Sequence, residues 1–253
     1  MKKMKRTKKS AIIAGCMAGI LAVTGAFAFL TDYDSAENKF KFLDADGNQT
    51  IEIDLVEPNW DETDADQNGT PDAAENAIYG NPVTKDPKVM NLGENSVYSF
   101  VKVLVPTKDV IVANEDGTWK DSAPTDLFML HGLDTTNWTL IDTKVDLDKG
   151  YTSYVYAYNE TLDGATVDGE GSPVIDETSN LFTSVEMVNL VNDQLTPDDN
   201  INIYVDAYAI QSAGVTAPDS GDLATGLKNI WDIYVNDAEA AASATFDYFA
   251  PLA

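Results

Sequence analysis

Cysteine and histidine are almost missing from this 253-residue chain, which has one of each, Cys16 and His131. A lone cysteine forms no internal disulfide, so robustness has to come from a packed core. One histidine and no HExxH leave a His-based zinc protease without ligands. A Ser-His-Asp triad is not excluded by that count, yet nothing beside His131 resembles a nucleophile elbow, and His131 reads as a loop residue ahead of Gly132. Basic residues are also scarce. The chain sets 16 Lys/Arg against 42 Asp/Glu, a net charge of −26, which disfavours nucleic acid and anionic lipid as partners.

Long apolar runs are missing as well, with one exception near the start. Residues 1–10 hold six Lys/Arg, and Ala11 to Leu30 is an uncharged, mostly apolar stretch. Ala26 and Ala28 then form the small-x-small pattern of a signal-peptidase site, so residues 1–28 are expected to be a signal peptide, helical in its apolar part, cleaved before Phe29. The run is just long enough to span a bilayer, so a retained anchor is the alternative, and membrane contact is expected only through such an uncleaved segment. Ile13, Ala14, Gly15 and Cys16 look like a lipoprotein box, but too few apolar residues precede the cysteine. Cleavage would remove six basic and no acidic residues, leaving ten Lys/Arg against 42 Asp/Glu. Self-repulsion on that scale costs stability unless cations screen or bind it.

Two-residue alternation dominates the remainder, residues 29–253, which reads as a single β domain. Thr50 to Val56 puts Ile51, Ile53 and Leu55 on one side and Glu52 and Asp54 on the other. Val97 to Pro106 is an apolar strand expected to stop at its proline. Tyr151 to Tyr158, Leu181 to Val191 and Ile201 to Ile210 add further strands, separated by Asp/Asn/Gly/Pro turns. One stretch has helical spacing: Leu223, Leu227, Ile230, Trp231 and Tyr234 predict a helix over 220–235, capped by Asp219 or Ser220. Gly226 inside it costs about 1 kcal/mol relative to alanine. Ala238 to Ala244 is either a second short helix or a loose tail.

The segment 64–75, DADQNGTPDAAE, has the spacing of an EF-hand-type calcium loop. Asp64, Asp66, Asn68, the Thr70 carbonyl, Asp72 and Glu75 fill the six ligand slots, and Gly69 stands where the loop turns sharply. Hard oxygen donors without His or Cys suit Ca²⁺ better than Zn²⁺. Without an ion these carboxylates crowd one another unfavourably. A solvated acidic turn is the plainer alternative in so acidic a chain. No flanking helices are evident, so the loop suggests a structural clip, like the acidic loops of extracellular modules. Asp44, Asp46 and Asn48 begin a similar pattern, but Gln49 replaces the glycine and Leu55 the closing glutamate, and a β-turn is expected there. Trp60, Trp119, Trp138 and Trp231 could line a sugar groove, although core or rim positions are more ordinary for tryptophan. Carboxylate pairs show no glycosidase spacing.

Several stretches together resemble the TasA/camelysin (CalY) family: the basic start, AFAFLTDYD, NKF, IEIDLVEPNWDE, KDPKVMNLGENSVYSFVKVLVP, LFTSV and NIYVDAYAIQ, over roughly residues 1 to 235. EPNW and KDPKVMNLGENS are the most specific of these. Members carry signal peptides of the type processed by the SipW signal peptidase. The resemblance implies a Gram-positive bacterium, secretion, a jelly-roll-like β-sandwich, and assembly into biofilm-matrix fibres by donating an N-terminal strand to the next subunit. Here the donor would be residues 29–43, with Phe29, Leu30, Phe40, Phe42 and Leu43 as apolar knobs; pairing within its own sandwich is the alternative. The calcium-like loop and the acidic stretch 163–180 depart from the family pattern. Camelysin-like relatives are also labelled metalloproteases, and this chain lacks ligands for that activity.

The expected function is therefore a secreted structural protein that forms or decorates matrix fibres, self-associating and in contact with matrix components, with Ca²⁺ at one loop and no catalytic residues. A non-polymerising surface adhesin is the alternative.

Overall fold

Residues 31–35, 42–43, 49–61, 74, 78–114, 116–191, 193–196, 199, 201–242 and 245–252 are described in this computed structural model, and every structural statement concerns them. The fold is mainly β. The chain begins with β1 (Thr31–Ser35), β2 (Phe42–Leu43), β3 (Gln49–Ile51), β4 (Ile53–Val56) and the one-turn helix α1 (Pro58–Asp61). Next come β5 (Val83–Thr84), β6 (Lys88–Asn91), the 14-residue β7 (Val97–Val110), β8 (Ala123–Asp126) and β9 (Phe128–His131). Then follow β10 (Trp138–Asp146), β11 (Tyr151–Leu162), and the short β12 (Thr166–Val167), β13 (Pro173–Val174) and β14 (Asp176–Glu177). The chain closes with β15 (Ser184–Met187), β16 (Tyr204–Gln211) and α2 (Leu223–Ala242).

One large antiparallel sheet organises these elements, in the order β1-β16-β7-β11-β10, with β8 joining the far end of β7. Its centre is β7, and its sequence explains why. VYSFVKVLV is nearly continuous in apolar residues, the pattern of a strand covered on both faces. Val97, Val101, Val103 and Val105 point into one core with Val205, Ala207 and Ala209 of β16. Phe100 and Tyr98 point the other way, with Val155, Tyr208 and Ile210. Each fully buried aliphatic side chain contributes about 1.5–3 kcal/mol, so β7 anchors both cores.

Two smaller sheets, β14-β6-β4 and β5-β15-β9, cover the first face through Leu55, Val89, Val83 and Val185. Helix α2 covers the second face through Leu227, Ile230, Trp231, Tyr234 and Val235. Segment 245–252 packs beside it: Phe246 lies edge-on to Trp231 at 5.7 Å and Tyr248 at 6.4 Å.

Several expectations need correction. β7 does not stop at Pro106 but runs on to Val110. Pro106 sits where β7 changes neighbour: Leu104 still pairs with Tyr204 of β16, and Thr107 already pairs with Asp126 of β8. A residue without an N–H fits at such a junction. Helix α2 spans Leu223–Ala242 rather than 220–235, because Ala238 still finds apolar neighbours in the second core. Its first turn starts at Asp222, whose carbonyl accepts the Gly226 N–H, while the Asp219 carboxylate caps the preceding turn by accepting the Gly221 N–H. Gly226 has a packing reason: a Cβ there would stand 2.5 Å from Pro218 Cβ and 2.8 Å from its Cα. The strand expected over Leu181 to Val191 shrinks to Ser184–Met187, and the one expected at Ile201 starts at Tyr204. Glu52, placed on the solvent side by alternation, is buried, and its carbonyl accepts the N–H groups of Leu92 and Gly93. A Cβ on Gly93 would come within 2.6 Å of the Glu52 nitrogen, so only glycine closes this contact without displacing backbone.

Candidate functional site

The most specific resemblance motifs, distant in sequence, meet in space. Lys85 Nζ lies 2.8 Å from each carboxylate oxygen of Glu57 and 4.4 Å from the centre of the Trp60 ring. Asp86 accepts the Asn59 backbone N–H at 3.1 Å and its side-chain amide at 2.7 Å. EPNW and KDP thus form one charge-and-aromatic lock joining α1 to the chain entering β6. A buried cation held between its charge partner and an aromatic face fixes the geometry of this corner.

A cleft of about 680 Å³ opens among β7, β8, β10 and β11 of the large sheet and β9 of the small one. The small sheet ends at β9, so it leaves the inward faces of β10 and β11 partly uncovered. Along the wall, Asp126 accepts the Thr107 hydroxyl at 2.7 Å and the Tyr154 hydroxyl at 2.5 Å, and Thr107 Oγ1 is 2.7 Å from Thr152 Oγ1. Apolar rims are set by Met129 and Val145, both exposed. Burial, then the hydrogen bond to Asp126, raises the Tyr154 pKa well above the usual phenol, and burial pushes Tyr156 up to about 12. Both phenols therefore stay neutral across the physiological range. The lining holds no His, Cys or Lys. Such a cleft can hydrogen-bond and enclose a neutral molecule.

His131 is not a loop residue. It ends β9, with Nε2 2.9 Å from Glu186 of neighbouring β15, while the other Glu186 oxygen accepts the Gly80 N–H. Gly132, next to it, has φ +65, the turn that ends the strand. Of the four tryptophans, Trp138 and Trp231 are buried, Trp60 joins the lock, and Trp119 is exposed; none lines the cleft. Trp138 and Trp231 thus take the core positions expected as the more ordinary ones, and sequence alternation pointed to no cleft, because its lining comes from five separate strands and their flanks.

The calcium-type loop residues Asp64, Asp66, Asn68, Thr70, Asp72 and Glu75 lie outside the described residues, as do Ala26, Ala28 and the whole signal segment. Among the described residues, no cluster of three or more His, Cys, Asp or Glu could hold a metal, and no helix is long and apolar enough to cross a membrane. Residues 44–48 also lie outside, although β2 and β3, which flank them, pair antiparallel. Of the suggested donor segment 29–43, Thr31–Ser35 and Phe42–Leu43 are described, the latter as β2 paired with β3 of the same chain. Thr31–Ser35 forms β1, paired antiparallel with β16 of the same chain from Thr31↔Ile210 to Ser35↔Asp206. No family model, no curated protein and no solved structure matches the chain.

Proposed function

We propose that this chain is a secreted structural subunit of extracellular matrix fibres in a Gram-positive bacterium, similar to the TasA/camelysin family, and not an enzyme. The frame would be a jelly-roll-like sandwich, released by cleavage after Ala28. One observation carries the reading: β1 lies as an outer strand on β16, joined by a five-residue register near the start of the chain. Such a strand can make the same ladder with β16 of a second copy, since backbone pairing is indifferent to which chain supplies the strand. Repeated head-to-tail, that exchange gives a filament rather than a closed dimer.

Deleting residues 29–43 from the mature protein tests this reading by negative-stain microscopy. Filaments should vanish, and a synthetic 29–43 peptide should bind the truncated subunit one-to-one; undiminished filaments overturn strand donation. In the same frame the 64–75 loop takes Ca²⁺ as a structural clip, with an affinity on the order of 10⁻⁴ to 10⁻³ M. Calorimetry on wild type and Asp64→Ala checks it, and equal heats in the two would remove the site.

The open cleft favours a second reading, a non-polymerising adhesin that encloses a neutral polysaccharide segment between Tyr154, Met129 and Val145. Size-exclusion chromatography separates the two, since the adhesin stays a discrete particle at all concentrations.

A further inference from the structure

Lys102 and Asp206 are directly opposite one another on β7, the centre of the large sheet, and its neighbour β16. Their side chains are 1% and 2% exposed, and Nζ stands 3.1 Å from Oδ2. That oxygen makes no hydrogen bond of good alignment, so the contact is an approach of amine to carboxyl rather than an aligned pair. The surroundings are aromatic: the Tyr208 and Phe246 rings lie 5.7 and 5.8 Å from Nζ. Segment 245–252 closes the site and holds both reacting groups. Lys102 Nζ donates to the Ala250 carbonyl at 2.6 Å, and the Leu252 backbone N–H donates to Asp206 Oδ1 at 3.2 Å. Asp247 is the further carboxylate whose field reaches Lys102, and it is itself tied to Lys149 at 2.8 Å.

We propose that Lys102 and Asp206 condense into an Nζ–Cγ amide that ties β7 covalently to β16. Burial lowers the Lys102 pKa and raises that of Asp206, which favours the free amine and the protonated acid, the two forms that react. The Nζ lone pair adds to Cγ, and the carbonyl electrons move onto Oδ1, where the Leu252 N–H stabilises them. The nitrogen passes one proton to the Oδ2 hydroxyl, which leaves as water as the carbonyl re-forms. One C–N bond forms, one C–O bond breaks, and no electron is transferred, so no co-reactant is needed. The remaining amide N–H keeps the Ala250 carbonyl as its acceptor. Strand pairing supplies the proximity that makes such a condensation intramolecular. A chain with no disulfide would gain a covalent clip across the centre of its sheet.

Denaturing mass spectrometry of the folded wild-type chain, its first residue fixed by N-terminal sequencing, tests the proposal. The mass should be one water below that of the sequence, trypsin should fail to cut after Lys102, and a branched peptide should join the Lys102 and Asp206 segments. Asp206→Asn should lose ammonia in place of water if the same attack occurs. The double variant Lys102→Met/Asp206→Leu should have its full mass and no branched peptide. A folded wild type at full mass and cut normally after Lys102 overturns the proposal. A water loss mapped to an Asp-Gly bond such as Asp116–Gly117 overturns it equally. The wild-type measurement decides even if a variant fails to fold.

Discussion

One face of the large sheet is closed by α2 and segment 245–252, whereas the other is closed by small sheets that stop short of β10. The helix-covered face concentrates aromatics: Trp231 contacts Phe100, Tyr208, Tyr234, Phe246 and Tyr248. It encloses the Lys102–Asp206 pair completely. The sheet-covered face is aliphatic at its centre and opens at the Asp126–Tyr154 cleft, where polar groups meet solvent. The same strands therefore carry an amine and a carboxyl in a dry setting on one side and hydroxyl groups in a wet one on the other. Coulombic and packing effects are large where water is excluded and small where it is not, which ranks the substitutions that follow.

Trp231→Ala should have the largest effect, costing about 4 kcal/mol in urea unfolding, because it empties the centre of the aromatic cluster. A loss under half that size would mean that α2 packs more loosely than its contacts indicate. Lys102→Met comes next, at about 3 kcal/mol near neutral pH, since it removes the link between β7 and β16 and leaves the Asp206 carboxyl buried without a partner. The sign of its pH dependence follows from the same group. Burial raises the Asp206 pKa in the folded chain, and Lys102 is what opposes that rise. Without Lys102 the folded state keeps a proton that the unfolded chain releases. The variant should therefore be most stable below the ordinary carboxylate value of about 4 and lose stability as pH climbs from there to the raised folded value. Urea midpoints that stay level between acid and neutral pH would show that Asp206 is hydrated after all.

On the wet face the effects should shrink. Tyr154→Phe removes one donor to Asp126, whose other oxygen keeps Thr107, and should cost about 1 kcal/mol by thermal unfolding. A cost equal to that of Lys102→Met would erase the contrast between the faces. Trp119→Ala, at an exposed ring, should stay within about 0.5 kcal/mol and sets the baseline.

Much of this architecture was readable from side-chain order. TIEIDLV, VYSFVKVLV and YTSYVYAY announced strands, and all three are strands, though the first breaks at Glu52 and the last runs on to Leu162. The stripe Leu227, Ile230, Trp231 and Tyr234 announced a helix packed on a sheet. Strands β8, β9 and β10 were not anticipated, because FMLH and WTLIDTKVD are short or mixed in polarity and draw their stability from neighbours. The cleft was equally silent, since Thr107, Asp126, Thr152 and Tyr154 share a wall only after β7, β8 and β11 pair.

Local order alone determined the acidic, disulfide-free character of the chain, its β-rich grammar and the long helix after residue 222, because charge, thiol count and periodicity are properties of consecutive residues. Tertiary structure decided what sequence distance hides. Lys102 and Asp206 became partners, Pro106 became a junction instead of a stop, and EPNW met KDP, because strand register and sheet order bring together residues that no local pattern relates.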